Sequence, residues 1–477
     1  MTTPGEETVP LSPEALDSLM AREVSQLSFI DRSSIYEEIH GVQSLAIKET
    51  PELIRQSLLS FQHEIDIFRG KKSAYDDAMI AGSRYVCSDE LRIQFLRAEF
   101  FDAKKAVARF LLRLENLFDF FGPVALQRPL QYSDLGRKET DLLRKGFIQI
   151  LPTRDRAGRL VEVANFRTEF WEADKDTRAK VIMYFEDAIS EDMETQKNGL
   201  VVIVAWDDRL NMAAGISTTQ EDYDVMVRLK ASTPYRWSAV HICVPEGPLS
   251  RFYRAFMLLT FGRESRVRAR VYPGFNMETQ YKLLTFGINV LDIPITHTGS
   301  IKLKNHLQWI KTRRAIDEAR KQGVNFAGTL HPGTNDVLFS KGGNQNHHGN
   351  YEFRSLIENL LSQERYKNVF SSRCNRRTSD REQREAIRYE IIRQIRARGG
   401  RFLALDKGGW WVELPIESSD LHDRVATSVY DHQKRLEARQ KQKRTKSDTH
   451  DMPNGANTDL RMDEGGFCFN GFRPCGS

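Results

Sequence analysis

Cysteine is scarce in this sequence, and the five that occur are scattered. Among 477 residues there is no C-x-x-C pair, which argues against an extracellular disulfide framework and against a zinc ribbon. The longest strongly apolar runs, at 200–206 and 255–261, are far shorter than the roughly 20 residues of a membrane-spanning helix. The first ten residues contain two glutamates and no apolar stretch, so no secretory signal is expected. We therefore predict a soluble protein of the cytoplasm or nucleus.

Catalytic signatures are missing as well. The chain contains no G-x-S-x-G, H-E-x-x-H or G-x-G-x-x-G motif and no EF-hand loop. The adjacent His347 and His348 would point to opposite faces of a strand, and Cys374 is the only thiol near them, so a zinc site is not expected. We predict a protein that is not an enzyme and that needs no metal or other cofactor.

A charge surplus is missing from the first two thirds of the chain. The 70 Lys/Arg and 65 Asp/Glu residues give a net charge of +5, yet residues 1–330 contain 45 of each sign. Residues 331–450 carry 23 basic against 16 acidic side chains. The basic surplus therefore lies in the C-terminal part of the chain.

Helical periodicity begins near residue 50. Residues 1–49 are polar with scattered apolar positions, and we predict a flexible segment there. Thr50 is a suitable N-cap and Pro51 a suitable first residue for an amphipathic helix over about 50–70. A second helical block over 88–121 divides at Asp102, a plausible cap, into two packed helices.

Strand-like runs then alternate with helical segments. The strand candidates are at 146–155, 159–166, 199–208, 237–247 and 266–274. Helical spacing occurs at 177–194, 251–262 and 301–322. This alternation favours an α/β fold, with N-terminal helices and a mixed sheet that helices cover on both faces.

Three stretches of this region resemble the CRAL-TRIO family of lipid-binding proteins. FLRAEFFDAKKAVARF (95–110) is similar to the family's entry helices. GFIQILPTRDRAGRLV (146–161) is similar to its first strand, through Asp155, Gly158 and Arg159. The segment 235–272 looks like its strand, apolar gate helix and following basic strand. The resemblance implies a domain over 50–323 that binds one small hydrophobic ligand, at times at a membrane surface.

The resemblance also indicates where a lipid would be held. Apolar side chains of the gate helix would line the cavity. The alternating arginines after it, at 263–270, would share one face of a strand and meet a lipid headgroup or water there. The candidates are Phe252, Tyr253, Phe256, Leu259, Arg263 and Arg268. An ordinary core helix is an equally weighted interpretation of the apolar residues.

After a linker at 324–335, a second domain is predicted over 336–416. Its opening, DVLFSKGGNQNHHGNYEFR, and its later RARGGRFLALDKGGWWVEL resemble an uncharacterised domain found in diatoms and related algae. That family implies no activity. Asn350 and Asp380 are predicted to cap two helices, and Gly-rich residues 406–409 to join a β-hairpin. Helix, helix and hairpin form a small α+β unit, for which a winged-helix-like layout is one interpretation.

The basic character of residues 336–450 suggests an alternative function, a nuclear regulator that binds nucleic acid through these residues and uses the N-terminal domain as a scaffold. The candidate contacts for DNA, RNA or another anion are Lys341, His347, Asn350, Arg354, Arg384, Arg388, Arg401 and Trp410. A capped loop and a solvated helix face are the competing interpretations of these residues. Residues 417–477 are expected to form a disordered tail, basic at 434–446, which is typical of a nuclear-localisation signal, a nucleic-acid arm or a solvated segment.

Overall fold

The computed structural model describes residues 13–68, 70, 73–206, 220–244, 250–296, 298–340, 347–363 and 378–448. Within these ranges the protein is a mixed α/β structure with N-terminal helices and two mixed sheets. No helix in the described ranges combines the length and apolarity needed to cross a membrane.

Most of the described residues are helical. The helices before the second sheet are α1 (Pro13–Ser25), α2 (Phe29–Ile39), α3 (Pro51–Phe68), α4 (Ala74–Ile80), α5 (Asp89–Ala98), α6 (Ala103–Phe121), α7 (Arg137–Arg144), α8 (Thr168–Trp171), α9 (Lys175–Ser190), α10 (Met193–Asn198), α11 (Gln220–Ala231), α12 (Ser250–Leu259), α13 (Arg263–Arg266), α14 (Met277–Thr285) and α15 (Lys304–Lys321). Those of the C-terminal domain are α16 (His348–Ser362), α17 (Thr378–Ala397) and α18 (Ser419–Asp448).

The first sheet has five strands in sequence order. They are β1 (Ile148–Ile150), β2 (Val161–Phe166), β3 (Leu200–Trp206), β4 (Trp237–Val244) and β5 (Ala269–Pro273). β1 runs antiparallel to β2, and the other neighbours are parallel. Because the apolar runs of β3 and β4 are buried on both faces, they lack the alternation of a half-exposed strand.

Helices cover both faces of this sheet. Val202 and Val204 face a large core shared with helices including α3, α5, α6, α9 and α12. Val201 and Ile203 face a smaller core that includes Ile39 of α2 and Leu283 of α14. The predicted α/β class and the helices at 50–70 and 88–121 are therefore confirmed.

The predicted flexible segment at 1–49 is wrong for its described part, because α1 and α2 are packed helices. Leu16 and Ile39 belong to the two cores. The fully buried Glu38 carboxylate lies 2.6 Å from Arg236 and 3.2 Å from Arg268. Residues 1–12 lie outside the described part of the chain.

The predicted strand at 266–274 is shorter than expected. Residues 263–266 form α13, and β5 begins only at Ala269. The arginines in this segment therefore do not share one strand face. Arg266 instead pairs with Glu23 of α1, and Arg268 pairs with Glu38 and Glu264.

The C-terminal domain is larger than predicted at both ends. Its sheet has the order β6 (Gly328–Thr329), β9 (Trp411–Glu413), β8 (Phe402–Leu405), β7 (Val337–Phe339). β6 lies in the predicted linker, and α18 lies in the predicted disordered tail. Leu421 and Val425 of α18 are fully buried against α16 and α17. The hairpin of β8 and β9 is confirmed, whereas a winged-helix topology stays a prediction.

A cationic cleft beside the first sheet as the candidate functional site

A cleft of about 890 Å³ opens where α6, α11 and the α12–α13 turn meet the start of β4. Its inner wall is aromatic, with Tyr235, Trp237 and Phe261. Trp237 and Phe261 meet edge to face, with ring centroids 5.2 Å apart. The cleft thus joins an apolar floor to a polar mouth, which is the usual composition of a small-molecule site.

The turn between α5 and α6 forms one rim and has an unusual backbone. Phe100 and Phe101 have φ values of 51° and 64°, a left-handed conformation that bulky residues rarely adopt. Asp102 then caps α6 by accepting from the Lys105 amide. The turn places the Phe100 ring in the cleft, 4.9 Å from the Arg236 guanidinium. Strain of this kind is concentrated at functional positions.

Most arginines that line the cleft are already paired with carboxylates. The pairs are Arg109 with Glu99, Arg228 with Asp119, Arg236 with Glu38, Arg266 with Glu23, and Arg268 with Glu38 and Glu264. These arginines stabilise the walls, and a ligand would have to displace a carboxylate to bind them.

Two lining cations, Lys105 and Arg263, differ from the rest. Both are exposed and have no carboxylate partner among the described residues. Lys105 lies on the first turn of α6, and Arg263 on the first turn of α13. They are the cations best placed to receive an anion at the mouth of the cleft.

A third cation, Lys230, lies on the inner wall. Its ammonium nitrogen is 4.3 Å from the centroid of the Trp237 ring and 5.5 Å from that of Phe261. Burial lowers the pKa of Lys230, while Glu186 and Glu162 oppose this shift. The stacked cation and rings form the partition between the cleft and the core behind it.

Behind this partition is an internal void of only about 30 Å³. Apolar side chains of the sheet and helices surround it, together with Glu162, Glu186 and Lys230. Among the described residues, Arg113 binds Glu186 with an N–O distance of 2.8 Å, whereas no hydrogen-bond donor reaches the Glu162 carboxylate. Burial raises the pKa of Glu162 to about 7, with Lys230 opposing the shift.

Replacing Glu162 by glutamine is expected to flatten the pH dependence of stability. Because the folded-state pKa is raised, the folded protein binds more protons than the unfolded chain between about pH 4.5 and 7. Glu162 therefore reduces stability as the pH rises through that window. The free energy of unfolding of Glu162→Gln, relative to that of the wild type, should increase by about 2 kcal/mol from pH 5 to pH 8. Urea denaturation at the two pH values measures this difference. The exposed Glu172→Gln is the control, and an equal gain there contradicts the assignment.

The predicted lipid contacts are only partly brought together. Leu259 and Arg263 line the cleft, and Arg268 lines it but is paired. Phe252, Tyr253 and Phe256 lie in α12, and their side chains fall outside the described part of the structure. Sequence reasoning missed Lys105, Lys230 and Phe100. The helical cap at Asp102 placed Lys105 on a first turn, but nothing in the sequence distinguished it from Lys104.

Several predicted nucleic-acid contacts instead hold the C-terminal domain together. Asn350 does not cap α16, because its side-chain amide pairs with the backbone of Leu338. The side-chain oxygen accepts from the Leu338 backbone N–H at 2.7 Å, and the side-chain nitrogen donates to the Leu338 carbonyl at 2.9 Å. His347 is the capping position and is buried. Burial lowers the pKa of His347 to about 4. Arg401 binds Asp336, with a closest N–O distance of 2.7 Å.

The remaining candidates are dispersed over the domain. Arg388 lies 3.6 Å from Glu385 on α17, and Arg384 is half-buried on the same helix. Trp410 packs against Phe326, and Arg354 is half-buried on α16. Lys341 lies outside the described residues. α17 begins at Thr378, so Asp380 lies inside it rather than at its cap. In the described ranges no group of three His, Cys, Asp or Glu side chains is placed to hold a metal.

Comparison with known families identifies one part of the chain. Residues 336–428 match a protein-family model described as a domain of unknown function (DUF6824). The match agrees with the uncharacterised domain predicted from 336 onward, and it extends into α18. It gives no support to the CRAL-TRIO resemblance of the first domain, which stays a prediction. No curated protein matches the chain.

Proposed function

We propose that the N-terminal domain binds one amphiphilic anion in the cationic cleft and holds it without chemical change. The ligand would be a small hydrophobic molecule that ends in a carboxylate or a phosphate. The observation that carries the proposal is the position of Lys105 and Arg263, which pair with no carboxylate of the described residues, at the mouth of a cleft with an aromatic inner wall. A lipid of this kind also agrees with the resemblance to lipid-binding proteins in the same region.

The energetics favour a ligand that has both an apolar chain and an anionic end. Burying an acyl chain against the aromatic wall contributes about 0.8 kcal/mol per methylene group. A charge-assisted hydrogen bond from each free cation adds roughly 1.5 kcal/mol or more. The internal void of about 30 Å³ is too small for a chain, so the ligand would lie in the cleft itself unless the Lys230 partition moves.

Neutralising the two free cations is expected to weaken binding of a dansyl-labelled long-chain fatty acid by about 10-fold or more. Fluorescence titration of the full chain with Lys105→Gln/Arg263→Gln measures this loss. Lys104→Gln is the matched control, because Lys104 is the neighbouring exposed lysine and does not line the cleft. A carboxylate-free methyl ester should bind the wild type as weakly as the acid binds the double variant. Competition by phosphatidic acid distinguishes a phosphate from a carboxylate end.

Equal affinity for acid and ester would overturn the role of the cations. Loss of binding in Lys104→Gln would do the same, since it would show a general charge effect. No binding of acid, ester or phosphatidic acid to the wild type would remove the proposed function altogether.

A further inference from the structure

A second groove, of about 650 Å³, lies between α15 and residues 132–144 of the first domain. Four cations line it: Arg144, Lys311, Arg314 and Lys321. All four are exposed and have no carboxylate within ion-pair distance among the described residues. The cationic cleft shares none of these residues, so the groove is independent of the proposed lipid site.

The cations lie along one face of α15. Lys311, Arg314 and Lys321 are spaced by three and seven residues, which places them on one side of a helix over about 15 Å. Arg144, at the end of α7, faces them across the groove. Two carboxylates also line it, but Asp317 is engaged by the backbone amide of Tyr132 and by arginines, and Glu318 accepts from Gln322. Four cations against these two carboxylates leave the groove with a net positive charge.

The groove also offers a stacking surface. The Arg314 guanidinium lies 5.3 Å from the centroid of the Tyr132 ring, which itself lines the groove. An arginine plane over an aromatic ring is a surface on which an unpaired base can stack. A row of cations beside such a surface is the arrangement by which proteins bind single-stranded nucleic acids without sequence preference.

The C-terminal domain also contacts α15. Lys311 donates from its ammonium group to the Gly408 carbonyl, at 2.9 Å, and Gln308 donates to the same carbonyl at 3.2 Å. These contacts hold the β8–β9 turn, which carries the exposed Asp406 and Lys407, against α15. The C-terminal domain therefore packs beside the groove, on a helix that sequence reasoning treated as ordinary.

We propose that this α15 groove binds a single-stranded nucleic acid through its phosphate backbone. A duplex is too wide to enter a groove of this volume. A concave groove with a row of cations beside an aromatic ring fits the phosphates and bases of a strand better than the flat, anionic surface of a bilayer. The groove would bind strands of any sequence, since no base-edge contact is needed for backbone recognition.

The test is binding of a fluorescein-labelled oligothymidine to the full chain, followed by anisotropy over a range of salt concentrations. Arg314→Gln/Lys321→Gln should weaken binding about 10-fold near 100 mM salt. It should also reduce the slope of log K against log[salt] by about 1.4, which is 0.7 for each of the two phosphates that the variant no longer neutralises. Lys48→Gln/Lys104→Gln removes two exposed cations elsewhere and is the control for net charge.

Three results would overturn the proposal. One is an unchanged salt slope in Arg314→Gln/Lys321→Gln. The second is a duplex that binds as tightly as the single strand. The third is capture of anionic phospholipid vesicles by the wild type but not by the same variant, because that would identify a membrane as the partner. The fatty-acid titration of the same variant should be unaffected, so failure here is distinguishable from failure of the cleft.

Discussion

Replacing Asp336 by alanine is expected to destabilise the C-terminal domain by about 2–4 kcal/mol, since two backbone amides lose a buried acceptor. The Asp336 carboxylate is buried and accepts from the Gly333 amide at 2.7 Å, from the Arg401 amide at 2.9 Å and from the Arg401 guanidinium at 2.7 Å. Removing it leaves a partly buried arginine and two backbone donors without their acceptor. Hydrogen exchange of peptides from β7, β8 and β9 in the full chain measures the loss.

Asp336→Asn separates the charge from the hydrogen bonds. Asparagine retains one acceptor oxygen, so Asp336→Asn should lose less stability than Asp336→Ala. Glu358→Ala, at an exposed position on α16, is the control. Gly349→Ala should also destabilise this region, because a Cβ there would clash with the backbone carbonyl oxygen of Asp336. If the amides of β7, β8 and β9 exchange no faster in Asp336→Ala than in Glu358→Ala, the Asp336 carboxylate does not stabilise the domain.

Elements with strong local periodicity were predictable. The helix α3 begins at Pro51, after Thr50, whose hydroxyl accepts from the Leu53 amide as an N-cap should. Asp102 likewise caps α6. In β3 and β4, length and uninterrupted apolar character were sufficient to identify buried strands. These signals lie within a few residues of one another, so no knowledge of the fold was needed to use them.

The N-terminal and C-terminal helices were missed because distant partners stabilise them. In α2 the buried surface is small, and its anchor is the ion pair of Glu38 with arginines about 200 residues away. Among the α18 side chains that the structure describes, Leu421, Val425 and Val429 are buried in the core of the domain. A helix that owes its stability to tertiary contacts has a weak pattern of its own.

The same reason limits prediction of the candidate sites. Arg266 and Arg263 have similar sequence surroundings, yet Arg266 binds Glu23 and Arg263 is exposed. Whether an arginine is free to bind a ligand depends on carboxylates contributed by other elements. The motif around Asp155, which resembles a lipid-binding family, has a structural role here. The Asp155 carboxylate pairs with the Arg159 guanidinium at 2.6 Å, and both side chains are buried. These two residues therefore stabilise a turn and are not available to a ligand.

Replacing Glu38 by alanine is expected to release the N-terminal helices and to lower the free energy of unfolding by about 3–5 kcal/mol. The carboxylate is fully buried, pairs with Arg236 and Arg268, and accepts from the Leu45 amide at 3.2 Å. Without it, Arg236 is left as a buried charge with no carboxylate partner among the described residues. Guanidinium denaturation measures the loss, and hydrogen exchange over residues 13–48 shows whether it begins in α1 and α2.

A compensating change tests the electrostatic cause of this loss. If unpaired buried charge is responsible, Glu38→Ala/Arg236→Met should recover part of the stability, because it removes an arginine that Glu38→Ala leaves unpaired. Glu37→Ala, at the neighbouring position, should have a small effect, since its side chain makes no ion pair with any described residue. A double variant no more stable than Glu38→Ala would show that α2 is held by its apolar contacts at Ile35 and Ile39. Arg236 and Arg268 also line the cationic cleft, so the Glu38 ion pairs help to hold the walls of the cleft in place.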